Sequence, residues 1–281
     1  MSLDGVQRVE GLDFADYVLL DREHVTRLKA LQVSPLNYLS RQHSPMADTD
    51  GLRVGRAVHS ATLEPHKFTE QCVVWPKRRQ GKAWENFRDT CPAHQTILTQ
   101  SQYDDTMRMR DAVYSHPVAA ELLSEGQPEV TYLWEHPIGG TPCKSRVDYD
   151  GDTVLVDLKT TASETPEQFG RDAANFGYHL QAAFYQDAVE AVTGLLKRVA
   201  FVCVQKRAPF DVWCLRVTEE QLAQGRAVYE DLLTTRLTCI ENDDWPGQAP
   251  DELIDMVLPA YAMPTAPVVL QIGGQSVSLG G

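Results

Sequence analysis

Ser145-Arg-Val-Asp148-Tyr-Asp150-Gly151-Asp152-Thr-Val-Leu155-Val-Asp157-Leu158-Lys159-Thr-Thr161 is the stretch on which the fold turns. Two apolar-alternating runs flank Asp150, Gly151 and Asp152, whose turn chemistry predicts a β-hairpin. Side chains alternate faces along a strand, so Asp157 and Lys159 share one face while Val154, Val156 and Leu158 share the other. A two-residue turn, at Asp150-Gly151 or at Gly151-Asp152, puts Asp148 on the face of Asp157 and Lys159. With Asp148 opposite Leu155, Asp157 lies two residues further along, roughly 7 Å at the strand rise. Two carboxylates at that offset can converge on one hard cation, and carboxylates suit magnesium or manganese. An EF-hand over Asp148, Asp150 and Asp152 is excluded. It needs glycine at its sixth position and glutamate at its twelfth, where this chain has Thr153 and Lys159.

Around this hairpin the sequence reads as an α/β protein with a mixed sheet. Residues 22–45 look helical with a break at Ser34-Pro35, and a second helix runs from Arg53 to Leu63. The basic segment Trp75–Trp84 reads as a loop. Residues 99–124 look helical with an interruption at His116-Pro117. Strands are predicted at 129–136, 144–150 and 153–159, then a helix over 176–192 whose buried face is Phe176, Leu180, Phe184 and Ala188. Strands at 199–206 and 212–217 and a helix at 219–237 follow. The proline-rich remainder, 246–281, reads as an extended arm. The domain reading is therefore one domain over 1–245, helical at about 20–124 with a core at about 125–237, plus the arm.

The 281 residues carry a net charge of −13. A nucleic-acid binder is usually basic, so any DNA-handling surface here must be local, with a metal offsetting the acidic cluster. No apolar run is long enough for a membrane span and the N-terminus lacks a signal-peptide pattern, which predicts a cytoplasmic protein. The six cysteines form no close pair, which argues against a zinc ribbon or a disulfide framework.

Five ordered motifs carry a resemblance. They are Gly55-Arg-Ala-Val-His59, Gly126-Gln-Pro-Glu129, Arg146-Val-Asp148, Asp157-Leu-Lys159-Thr-Thr and Gln181-Ala-Ala-Phe-Tyr185. Over roughly 27–190 the chain resembles the RecB-like branch of the PD-(D/E)xK nuclease superfamily, and within it the exodeoxyribonuclease VIII (RecE-type) phage recombination exonucleases. The resemblance implies a restriction-endonuclease-like α/β core. It makes His59, Asp148, Asp157 and the carbonyl oxygen of Leu158 metal ligands, with Glu129 holding a second metal or its water. Lys159 becomes the catalytic lysine. Gln181 and Tyr185 either support the site or contact the DNA backbone, and Glu135 is a rival for the role of Glu129.

The same resemblance implies two Mg2+ or Mn2+ ions per site and 5′→3′ digestion of one strand of linear double-stranded DNA. Its implied partners are DNA ends, a homo-oligomeric ring (a tetramer, or else a trimer), and a single-strand annealing protein in a phage or prophage setting. Some relatives hold an iron–sulfur cluster through four cysteines. No cysteine precedes His59 here and Cys203, Cys214 and Cys239 are widely spaced, so no cluster is expected. Arg27 and Ser34 sit where relatives hold a 5′-phosphate, yet Ser34-Pro35 is also a standard helix N-cap pair, and the cap alone is the slightly favoured reading. Arg146, Arg78 and Arg79, with Lys77 and Lys82, are further candidate DNA contacts, and Trp75 or Trp84 could stack on a base.

Overall fold

Alternating apolar strands and capped helices build the fold in the order the chain presents them. A computed structural model describes residues 5–41, 48–248, 253, 255–259, 262, 268–272 and 275–279. Strand β1 (Gln7–Val9) and helices α1 (Phe14–Leu19), α2 (Val25–Leu28) and α3 (Pro35–Arg41) come first. Helices α4 (Asp50–Leu63) and α5 (Pro65–Gln71), strand β2 (Cys72–Trp75), helix α6 (Gly81–Thr90), strand β3 (Thr96–Thr99), and helices α7 (Gln100–Ser115) and α8 (Pro117–Leu122) follow. Strands β4 (Gly126–His136), β5 (Thr141–Gly151) and β6 (Val154–Thr161) lead to helices α9 (Pro166–Asn175) and α10 (Tyr178–Thr193). Strands β7 (Arg198–Gln205) and β8 (Val212–Arg216) and helix α11 (Glu219–Asn242) close this part.

Local chemistry sets the helix starts. Thr49 accepts the Leu52 amide at 3.2 Å, and Thr99 with Gln102 and Thr218 with Gln221 form reciprocal capping boxes. Pro117 occupies the first turn of α8, where its missing N–H costs nothing.

Six strands form one mixed sheet in the order β1-β4-β5-β6-β7-β8. Within it β6 and β7 pair in parallel, because α9 and α10 cross over between them. The two sheet faces have separate cores. Leu155, Phe201 and Cys203 pack with Leu180, Phe184 and Tyr229 from α10 and α11. Val156, Leu158 and Val202 pack with Val58 of α4 and Met109 and Val113 of α7.

Several expectations are corrected. The turn of the central hairpin is Asp152-Thr153, one residue later than read, because Tyr149 pairs with Val156 and Asp150 with Leu155. The pairing ends at Tyr149–Val156, so no ladder pair joins Asp148 to Asp157. Asp150 is no turn residue. It is buried and accepts from Lys197, Tyr132 and Arg8. The segment 75–84 is not all loop, since Trp75 ends β2 and Lys82 and Trp84 lie in α6. Phe176 precedes α10 and is 58 % exposed, whereas Leu180, Phe184 and Ala188 are buried as expected. The predicted helix over 22–45 is broken into Val25–Leu28, a 3-10 turn at Lys29–Gln32 and Pro35–Arg41, and 42–47 lie outside the described residues.

The chain divides into two compact units, Met1–Pro246 and Gly247–Gly281. In the second, among the described residues, β9 (Val268–Ile272) pairs antiparallel with β10 (Gln275–Leu279), where an arm without paired strands had been expected. Two β-prone runs around Gly273-Gly274 are a hairpin signature that the proline-rich surroundings obscured.

Candidate metal centre

The site lies where the central hairpin comes apart. Strands β5 and β6 pair at Tyr149–Val156 and Asp150–Leu155, and one step further the Asp148 carboxylate accepts the Leu158 amide at 2.8 Å, a side chain standing in for a ladder bond. The alternation of β5 breaks at the same point. Val147 belongs to the core under α10, while Tyr149, two residues on, belongs to the core under α4. On the other side of β5, Pro128 pairs with Tyr149 and Val130 with Val147, and Glu129 between them sits at φ 53°. A left-handed conformation costs a residue with a side chain on the order of 1–2 kcal/mol. Such strain collects at functional positions, and here it turns the Glu129 carboxylate out of the pleat.

Ligand atoms of His59, Glu129 and Asp148 all lie within 4.8 Å of one another. His59 arrives from α4, its Nδ1 3.6 Å from Asp148 Oδ2. One turn earlier, a Cβ on Gly55 would stand 3.7 Å from Thr160 Oγ1, so that helix lies close on β6. Asp157 is 2 % exposed, and neither of its oxygens accepts a well-directed hydrogen bond. Its counter-charge is the Lys159 ammonium, 2.5 Å from Oδ1. Lys159 also donates to Gln181 Oε1 at 3.3 Å, Gln181 donates to the Tyr185 hydroxyl at 3.0 Å, and the Lys159 ammonium lies 4.6 Å from the centroid of the Tyr178 ring.

Burial pushes the Asp148 carboxyl up to about 7, with Asp157 adding to the rise and His59 and Lys159 opposing it. Burial alone would lower the Lys159 ammonium, but Asp157 and Asp148 hold it above its usual value. Burial and both aspartates push the Tyr185 phenol well up, so it stays protonated while accepting from Gln181. Carboxylate oxygens are the donor type for magnesium or manganese, while the single imidazole nitrogen is a donor more usual for transition ions. A buried carboxylate without hydrogen bonds is the group such an ion satisfies. The residues therefore fit a bound metal: His59, Glu129 and Asp148 would hold it, with the Asp157 carboxylate beside that cluster rather than in it.

Other expected site residues go elsewhere. Arg146 donates to Glu129 at 2.6 Å and to the Leu12 carbonyl at 2.7 Å, so it holds the strained glutamate in place. Ser34 accepts the Asn37 amide at 3.0 Å and is a helix cap. Arg27 lies over the Tyr38 ring and 3.9 Å from the buried Glu23 carboxylate, with its Nε unpartnered. Arg79 is tied to Asp50, Gln102 and the Ile97 carbonyl, while Arg78 is exposed. Trp75 and Trp84 pack on each other and on Phe87. Glu135 is exposed and pairs in the ladder opposite Pro142, six residues along the strand from Glu129. Tyr178 went unread, although its spacing of three and seven from Gln181 and Tyr185 marks one helix face. Lys29 gave no sequence signal.

A family model described as a PDDEXK-like domain of unknown function (DUF3799) matches residues 24–255. The chain belongs to this family. The match takes in all five motifs and fits the split hairpin and mixed sheet. No curated protein matches the chain. Among solved structures, the DUF3799 chain is similar to that of a "putative exonuclease" from Eubacterium rectale, with TM-score 0.64 and 15 % identity over 92 % of this chain and 99 % of that one. At that identity the likeness speaks for the fold. A second structure, SSO0001, aligns at TM-score 0.30 and 13 % identity over 76 % of this chain and 84 % of that one, too weak to carry an argument.

Proposed function

We propose that this PDDEXK-like domain is a divalent-metal-dependent exonuclease that digests linear double-stranded DNA in the 5′→3′ direction, releasing 5′-mononucleotides and exposing 3′ single strands for recombination. The observation that carries the reading is the meeting of His59, Glu129 and Asp148 beside the Asp157–Lys159 pair in the split of the hairpin. When bound, Mg2+ or Mn2+, two ions in the full site, would supply charge stabilisation at the phosphodiester and acidify its attacking water.

The protein's own groups do the rest. Lys159, held by Asp157 and Gln181, presents an ammonium to orient the water and offset charge growing on the phosphate. Arg146 keeps Glu129 aimed. Tyr185 and Gln181 form a relay that fixes the Lys159 amine. Arg27 and Arg78 extend the proposed DNA contacts. A homo-oligomeric ring, tetrameric or trimeric, and a single-strand annealing partner complete the proposal. A ring would let an acidic chain line its channel with basic groups.

The test is digestion of end-labelled linear DNA and closed circular DNA in magnesium. Release of mononucleotides from the linear substrate with the circle left intact is expected. Cutting of the circle would replace this reading with an endonuclease. Asp157→Ala and Lys159→Ala should each lower the rate at least about a hundredfold while keeping the circular dichroism spectrum, since each removes a group acting at the reacting phosphate.

A further inference from the structure

Beside the Asp157–Lys159 pair stands a second positive charge with no place in the five motifs. Lys29 follows α2, and its ammonium donates to the Phe176 carbonyl at 2.8 Å. It lies 5.8 Å from the centroid of the Tyr178 ring, the same ring that the Lys159 ammonium approaches at 4.6 Å. The two cations therefore flank one aromatic side chain. Gly177 makes room for this: a Cβ there would press on the Lys29 stem.

No carboxylate lies within ion-pair distance of Lys29 among the described residues. Of the acids that act on the Tyr178 ring, Asp157 is held by Lys159 and Asp172 accepts the Ser163 hydroxyl at 2.7 Å. Burial first, and the Lys159 charge second, pull the Lys29 ammonium down to about 8, with Asp157 opposing. A positive charge left short of counter-charge beside a phosphodiester site is what an incoming phosphate relieves. Next to it, Phe176 is 58 % exposed although it is a large apolar ring, and it packs on Tyr178 with centroids 5.7 Å apart. Nucleobases stack on such rings regardless of sequence.

We propose that Lys29 and Phe176 form a nucleotide subsite next to the metal centre, Lys29 holding the phosphate that neighbours the scissile one and Phe176 stacking on its base. The ligand class is a single-stranded DNA segment, so the subsite takes a strand already parted from its complement. The proposal rests on the phosphodiesterase reading above, and the experiment separates the two.

Binding is measured first, by fluorescence anisotropy of a labelled single-stranded oligonucleotide in EDTA, where no cleavage occurs. Lys29→Met should weaken binding roughly tenfold and reduce the slope of log affinity against log salt by about one, the signature of one lost phosphate contact. Phe176→Ala should weaken binding about tenfold without changing that slope. Lys29→Arg should restore most of the affinity, because a charge is needed there. Steady-state cleavage in magnesium should then show the Lys29→Met loss falling on KM more than on kcat. An unchanged affinity and slope in Lys29→Met overturns the subsite even if cleavage is robust. So does a Lys29→Arg variant as weak as Lys29→Met, which would make Lys29 a tether for the Phe176 loop. A wild-type chain that binds through Lys29 but cuts nothing would sink the hydrolysis reading and leave the subsite standing.

Discussion

Asp148 is the residue on which the site is most finely balanced. Its carboxyl is raised to about 7 by burial, against a usual value near 3.8, so in the metal-free fold it carries a proton through mildly acidic pH. The sign follows. The folded state binds this proton more tightly than the unfolded state. The stabilisation is complete below the unfolded pKa and is lost as pH rises through the folded value. In EDTA the wild type should lose stability relative to Asp148→Asn between about pH 4 and pH 7, by on the order of a few kcal/mol, since each pKa unit is about 1.4 kcal/mol. Thermal melts of the two proteins across that window measure the difference, and a pH-independent difference would contradict it. Manganese should reverse the trend, because the ion binds only the deprotonated carboxylate, and its affinity should climb as pH passes 7.

At the scale of elements, the packing of α11 against α10 depends on Gly225. A methyl group there would fall against the backbone carbonyl of His179, and backbone cannot swing aside as a side chain can. Gly225→Ala should destabilise the fold by about 2 kcal/mol, the usual cost of overpacking a close contact. The same helix contact positions the first turn of α10, from which Tyr178 and Gln181 face Lys159. Gly225→Ala should therefore also lower activity at temperatures where the protein is still folded. Urea titration and a rate assay on the same preparation check both parts.

For the whole molecule, the boundary at Pro246 makes a prediction. Trp245 stacks on Tyr38 with centroids 5.6 Å apart, and the Pro246 carbonyl accepts the Leu36 amide at 3.1 Å. A chain ending at Pro246 should melt within a few degrees of the full protein, whereas one ending at Asp244 should melt several degrees lower, having lost both ties. Differential scanning calorimetry distinguishes them. If residues 247–281 contribute to assembly, the first truncation should also change the mass read by light scattering.

The sequence by itself determined the local pattern: Asp157 and Lys159 on one strand face, a histidine one helical turn from a glycine, and the order of helices and strands around them. These are legible because side-chain alternation and helical spacing are local properties of the backbone. Only the tertiary structure decided that the hairpin turns at Asp152-Thr153, that Asp150 is buried among Lys197, Tyr132 and Arg8, and that Glu129 takes up a left-handed conformation. It also decided that Arg146 serves Glu129 and that Lys29 reaches the ring beside Lys159. Each of these depends on a partner in another element, from 17 to more than a hundred residues away, or on where a strand pair stops, and neither the spacing nor the composition of a short segment encodes such a partner.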